Sequence, residues 1–204
     1  HLMRLIEQVQ FDTVYHEHFS YLSLYTVTRI FDSAGLRIFD VEELLTHGGS
    51  LRIYGCHKND TRTSSKRVTT LLRAEEGAGM RNLDVYGRFQ KRTEQIKDNL
   101  LRFLLEQKHA GKKVAAYGAA AKGNTLLNFA GIKPDLLPFV CDAAPSKQGK
   151  YLPGSHIPIR TPDALATARP DFVLILPWNI ATEVIDQNIM LRQSGTNFVT
   201  AVPD

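Results

Sequence analysis

Four short apolar runs in the final 93 residues constrain the fold more than any other feature. KVAAYGA from Lys113, LLPFVCD ending at Asp142, FVLILPW from Phe172 to Trp178 and NFVTAVP near the end each have strand length. Helically patterned stretches separate them: KGNTLLNFAG opens one helix, and Asn179 to about Gln193 reads as another. Parallel strands cannot be joined by tight turns and need a crossover of a dozen or more residues. Strand–helix alternation therefore predicts an α/β fold with a doubly wound parallel sheet over residues 111–204. Such sheets bind ligands outside the carboxyl ends of their strands, so the loops after Tyr117, Asp142 and Leu176 are the places to look for chemistry.

The first 60 residues are patterned differently. Ser23 can cap a helix whose apolar positions Leu24, Val27, Ile30 and Phe31 follow helical spacing, and Gly35 stands where a left-handed C-terminal residue belongs. Leu36 to Leu44 and Leu51 to His57 then read as antiparallel strands around the turn THGGS. A helix and a hairpin make too little sheet to stand alone, so either further strands complete it or the second half of the chain covers its open edge. Residues 61–110 read as a helical connector. Ser64 or Ser65 opens a helix to about Glu76, GAGM breaks it, and a longer helix runs from about Leu83 to His109, closed by Gly111. Both helices are richly charged with one apolar stripe, as solvated surface helices are.

Composition narrows the setting. With 43% hydrophobic and 23% charged residues, the chain falls among ordinary soluble globular proteins. Its apolar runs are far short of the roughly 20 residues needed to cross a bilayer, and HLMRLIEQVQ lacks the layout of a secretory signal. Cys56 and Cys141 are isolated, which excludes a CxxC motif and fits small core residues in a reducing compartment, the cytoplasm by default. A net charge of +4, thinly spread, does not demand nucleic acid and suits a small anionic substrate.

Three loops carry candidate chemistry. In YGAAAKGN, Tyr117 to Asn124, Gly118 and Gly123 remove side chains where a strand turns into a helix, and Lys122 adds a charge at the positive end of the helix dipole. This is a potential anion cradle, although it matches neither GxGxxG nor the P-loop, and the same glycines also suit a plain turn. The long loop CDAAPSKQGKYLPGSHIPI is either functional or a surface excursion stiffened by Pro145, Pro153 and Gly154. In LPWN, Trp178 packs on the sheet end or stacks on a ligand, and Asn179 is placed to cap the helix behind it.

One further stretch, FDTVYHEHFSYLSL from Phe11, sets Tyr15, His16, Glu17 and His18 in a row within an otherwise apolar context. Buried groups of this kind must be hydrogen-bonded, ligate a metal, or exchange protons. If Val14 to Ser20 is extended, His16 and His18 share one face and Tyr15 and Glu17 the other. An H-x-H pair could hold zinc, but no third ligand stands at a recognisable spacing, so no metal site is assigned. Histidines bonded to backbone carbonyls and a catalytic histidine oriented by Glu or Tyr both remain open on the residues alone.

FDTVYHEHFSYLSL, THGGSLRIY, YGAAAKGNTLLN, KQGKYLPGSHIPI and LPWN, in this order, resemble the C-terminal portion of S-adenosylmethionine-dependent sugar C-methyltransferases. The resemblance covers nearly the whole chain. It implies that residues 1–60 are the C-terminal part of a class I methyltransferase domain, entered after its fourth strand, and that residues 111–204 form a Rossmann-like domain closing over a nucleotide sugar. An upstream half would supply the zinc segment and most of the S-adenosylmethionine site, and this chain alone would be inactive. By the same resemblance His18 is the general base, with Tyr15 and Glu17 beside it, removing a proton alpha to a sugar ketone so that the enolate accepts the methyl group. Gly118, Lys122, Gly123 and Asn124 would hold the diphosphate, with Lys147 and Tyr151 approaching from the long loop. His16, Asp142, Trp178 and Asn179 are further candidates. Ala144 departs from the family, which commonly has Asn there, so no polar role transfers to it. Two other functions fit the same fold: an NAD-type binding module with Asp142 on a ribose hydroxyl, and a non-catalytic interaction domain.

Overall fold

The computed structural model describes residues 1–202 and divides into two compact units. One comprises His1–Gln10 and His18–Lys91; the other comprises Phe11–Glu17 and the chain from Arg92 onward.

In the first unit, helix α1 (Leu2–Glu7), which has no clear sequence signature, buries Met3, Leu5 and Ile6. Helix α2 (Leu24–Ser33) begins where Ser23 Oγ accepts a hydrogen bond from the Thr26 amide, and Gly35 beyond its end has φ +72°. Of the apolar positions expected to face the core, Leu24 is fully buried, whereas Ile30 is exposed. Strands β1 (Leu36–Leu44) and β2 (Ser50–His57) pair antiparallel from Leu44↔Ser50 to Leu36↔His57, with a bulge between Ile38 and Asp40. Gly55 lies directly under the Phe31 ring, so no other residue fits there without displacing it. Helix α3 (Lys66–Gly77) is capped by Ser65. Its Glu75 is 1% exposed, and the carboxylate accepts from the Leu24 and Tyr25 amides at 2.6 and 2.8 Å. A carboxylate thus meets the positive start of α2, where the first amides lack partners within the helix. Met3, Leu5, Leu24, Ile38, Val41, Val68 and Leu71 form the centre of this unit's core. Helix α4 (Leu83–His109) follows, and its residues from Arg92 belong to the second unit.

The second unit is a five-stranded sheet of order β5-β4-β3-β6-β7, parallel throughout. Its strands are β3 (Val114–Tyr117), β4 (Val140–Cys141), β5 (Ile159–Arg160), β6 (Phe172–Ile175) and β7 (Asn197–Val199). Helices α5 (Ala121–Phe129), α6 (Asp163–Ala168), α7 (Ala181–Gln187) and α8 (Ile189–Gln193) connect them. Ala115, Tyr117, Cys141, Val173 and Ile175 pack with Leu165, Val184 and Leu191 of α6 to α8. The alternate residues Ala116, Val140 and Leu174 are equally buried, so both faces of the sheet are covered, as a doubly wound fold requires. The architecture is mixed α/β with a Rossmann-like sheet.

Three local expectations are corrected. The helix read from Asn179 to Gln193 is a short 3₁₀ turn, Trp178–Ile180, followed by α7 and α8 with a break at Asn188. The long loop after Asp142 contains β5, and Tyr151 pairs with Pro158 across a short antiparallel bridge that folds the loop on itself. Val14 to Ser20 is not extended: Phe11–Thr13 forms a 3₁₀ turn, and a tight turn at Tyr15 to Glu17 follows.

Candidate functional site

The strand order reverses between β3 and β6, because the chain builds outward to β4 and β5 before crossing to β6 and β7. This reversal is the switch point at which open α/β sheets receive ligands. Two chain segments leave the sheet there: Gly118 to Asn124 after β3, and Leu176 to Asn179 after β6.

They interlock closely. Gly118 has φ +93°, and a β-carbon on it would collide with the Pro177 ring. A β-carbon on Gly123 would lie 2.6 Å from Leu176 Cβ. Both glycines therefore let the two segments touch, a packing role that competes with the exposure of amides to a ligand. Lys122 follows the same logic. It is only 8% exposed, its Nζ donates to Asn179 Oδ1 at 2.8 Å, and it stands 4.3 Å from the centroid of the Trp178 ring. Asn179 does not cap the helix behind it, because its carboxamide oxygen is taken by this lysine. Ala120 caps α5 without a side-chain bond, which leaves the first-turn amides without a side-chain acceptor. Asn124 Oδ1 is buried without a hydrogen-bond partner.

Asp12, unremarked in the sequence, completes the cluster. It is 0% exposed, and its Oδ2 accepts from Trp178 Nε1 at 2.7 Å. Its Oδ1 has no partner. Burial pushes the Asp12 carboxyl up from its ordinary value, against the Trp178 N–H and the Lys122 charge, which pull it down. Burial likewise pushes the Lys122 ammonium down, and Asp12 opposes that shift. The only signal in the sequence was a carboxylate next to Phe11 in an apolar stretch.

The loop after β4 uses its polar groups on itself. Asp142 Oδ2 accepts from the Ala119 amide at 2.7 Å and from Lys147 Nζ at 3.2 Å, while Oδ1 accepts from the Ala144 amide at 2.8 Å. Tyr151 is exposed on the folded-back loop.

Of the YHEH residues, Tyr15 is half-buried, and His16, Glu17 and His18 are exposed. Tyr15 and Glu17 belong to the second unit with Asp12, whereas His18 belongs to the first. His16 Nε2 is 3.9 Å from Glu17 Oε1, and the His18 and Tyr21 rings lie 6.1 Å apart. Phe19, beside His18, is 97% exposed, contrary to the buried context read from the sequence. Among the described residues, no three histidines, cysteines, aspartates or glutamates gather to hold a metal ion, and no helix is long and apolar enough to cross a membrane. Gly118 to Gly123 is the one glycine-bearing strand–helix turn in the described sheet, and both glycines are in close contact with the Leu176–Pro177 segment.

Comparison with known proteins gives two matches. Residues 45–203 match the family described as C-methyltransferase C-terminal domain. The chain is also 36% identical to the C-methyltransferase NovU of Streptomyces niveus over 204 residues, all of this chain. It spans about half, 49%, of that relative's length.

Proposed function

Since the chain belongs to the C-methyltransferase C-terminal domain family, we propose that it serves the C-methylation of a nucleotide-linked keto-deoxysugar. The methyl donor is S-adenosylmethionine, held by residues outside this chain. The supporting observation is the Asp12–Trp178 hydrogen bond, which ties the segment bearing Tyr15 and Glu17 to the switch-point end of the parallel sheet.

In this reading His18 removes the proton alpha to the sugar ketone as the general base. The Tyr15 hydroxyl donates to the developing enolate oxygen, and Glu17 orients the base. The diphosphate meets the first-turn amides of α5 beside Asn124, with Lys147 and Tyr151 on the adjoining loop. Lys122 acts there through its field, since Asn179 already engages its ammonium group.

The test joins this chain to an upstream half carrying a donor site. Methyl transfer from S-adenosylmethionine to a TDP-linked keto-deoxysugar is then followed by mass spectrometry. His18→Ala is expected to lower kcat by about 10²–10⁴-fold, the usual contribution of a positioned base. Full activity in that variant removes His18 from the reaction, and absence of transfer to any nucleotide-linked keto sugar overturns the proposed substrate.

A further inference from the structure

A fully buried carboxylate is expensive to keep inside a protein. Asp12 therefore calls for an explanation beyond filling space. It sits in the 3₁₀ turn Phe11–Thr13, whose backbone continues directly into Tyr15 through Val14 N–H to Phe11 O at 3.0 Å and Tyr15 N–H to Thr13 O at 3.1 Å. Phe11 packs edge-on against Phe129 of α5, with ring centroids 5.2 Å apart. Asp12 Oδ2 accepts a hydrogen bond from Trp178 Nε1, across 166 residues, and so ties this segment to the end of the sheet. Trp178 is held in turn by its position over Lys122, whose ammonium is fixed by Asn179.

We infer that Asp12 is a positioning residue: by bonding Trp178 and facing Lys122 from within the buried cluster, it fixes the turn that presents Tyr15 and Glu17. The inference rests on the roles proposed above for those two residues. Asp12 touches no reacting atom. A hydrophobic residue in its place would keep the packing of the turn but release its register. An asparagine would keep an oxygen for the indole N–H while losing the charge.

Two readouts test this. In the 204-residue chain, Asp12→Ala and Trp178→Phe should each speed hydrogen exchange at the amides of residues 13–17 by about tenfold or more, the effect of losing one charge-assisted bond. The amides of β3 and β6 should keep their protection. In the chain joined to its upstream half, the same two variants should lose about 10²-fold in kcat, as a misplacement of roughly 1 Å does, with KM for the nucleotide sugar little changed. Asp12→Asn should recover most of that loss. Trp178→Phe guards against a failure of Asp12→Ala to fold. Unchanged exchange overturns the anchor, and faster exchange with unchanged kcat overturns the positioning role. If the wild-type enzyme methylates no nucleotide-linked keto sugar, the proposed function falls, and the exchange result alone decides the anchor.

Discussion

Replacing Gly123 by alanine separates the two uses a glycine can have at this turn. A β-carbon there would lie 2.6 Å from Leu176 Cβ and 2.7 Å from Leu176 Cδ1. Carbon atoms in contact settle roughly 3.5–4.0 Å apart, so α5 and the segment after β6 must part by roughly 1 Å. The Leu176 Cδ1 can swing away with its rotamer, but Cβ is fixed by the backbone. Overpacking of this kind costs about 1–3 kcal/mol, and removing glycine from a helix returns at most about 1 kcal/mol. Because Leu176 Cβ cannot move aside, the cost lies in the upper half of the overpacking range, about 2–3 kcal/mol, and the net loss is about 1–2 kcal/mol, which lowers the urea midpoint by roughly 0.5–1 M. Trp178 is the only tryptophan and lies in the same unit, so its fluorescence reports the transition. Gly118→Ala should cost more, because it adds strain at φ +93° to a collision with the Pro177 ring. Gly87→Ala in α4, where a β-carbon meets nothing within 4 Å, lies in the first unit and should leave this transition unchanged. If Gly123→Ala also unfolds at or above the wild-type midpoint, the packing account is refuted, and the glycine is there to let a ligand approach the backbone.

Two further expectations concern buried acids. Glu75→Ala removes the acceptor of the Leu24 and Tyr25 amides and should destabilise the first unit by about 2–4 kcal/mol in urea unfolding followed by circular dichroism, with Glu75→Gln losing about half as much; a change in Glu75→Ala below about 0.5 kcal/mol would show that water replaces the carboxylate. Burial pushes the Cys141 thiol up to about 11, and its Sγ donates to Thr161 O at 3.1 Å. The folded state therefore holds this proton more tightly than the unfolded chain. The resulting stabilisation is complete below about pH 9 and is lost as pH rises toward 11. Cys141→Ala should flatten that alkaline decline in thermal unfolding, and an identical decline in both proteins would assign it to another group.

The elements that were legible in the sequence carry their signals locally. Ser23, Ser65 and Gly35 mark helix ends through bonds and dihedral angles within a few residues, and the 3.6-residue period defines α4 from Leu83 to His109. The strands β3 and β6 are apolar enough to announce themselves. What stayed hidden depends on distant partners. The two-residue strand β5 exists because Val140 and Cys141 pair with it, and nothing in PGSHIPIR distinguishes it from a loop. Glu75 and Asp12 look like ordinary surface acids until their partners 51 and 166 residues away are known. Asn179 carries a capping residue's signature, but Lys122 reaches its oxygen first. At the candidate site the sequence singled out Lys122, Trp178 and Asn179, which the structure gathers around Asp12. It misjudged the surroundings of His16 to Phe19, since a run of aromatic residues reads as core whether or not anything covers it.

The second unit is assembled from two pieces of chain with the whole of residues 18–91 between them. During synthesis Asp12 leaves the ribosome 166 residues ahead of Trp178, a wait of roughly 10–30 s at ordinary elongation rates. Over that interval Phe11 has no Phe129 ring to rest on, and the segment Phe11–Glu17 must be kept from unproductive contacts until the residues that complete its unit appear. The same interval bars this unit from maturing vectorially, so slowing elongation across residues 92–178 should lengthen the exposure of Phe11–Glu17.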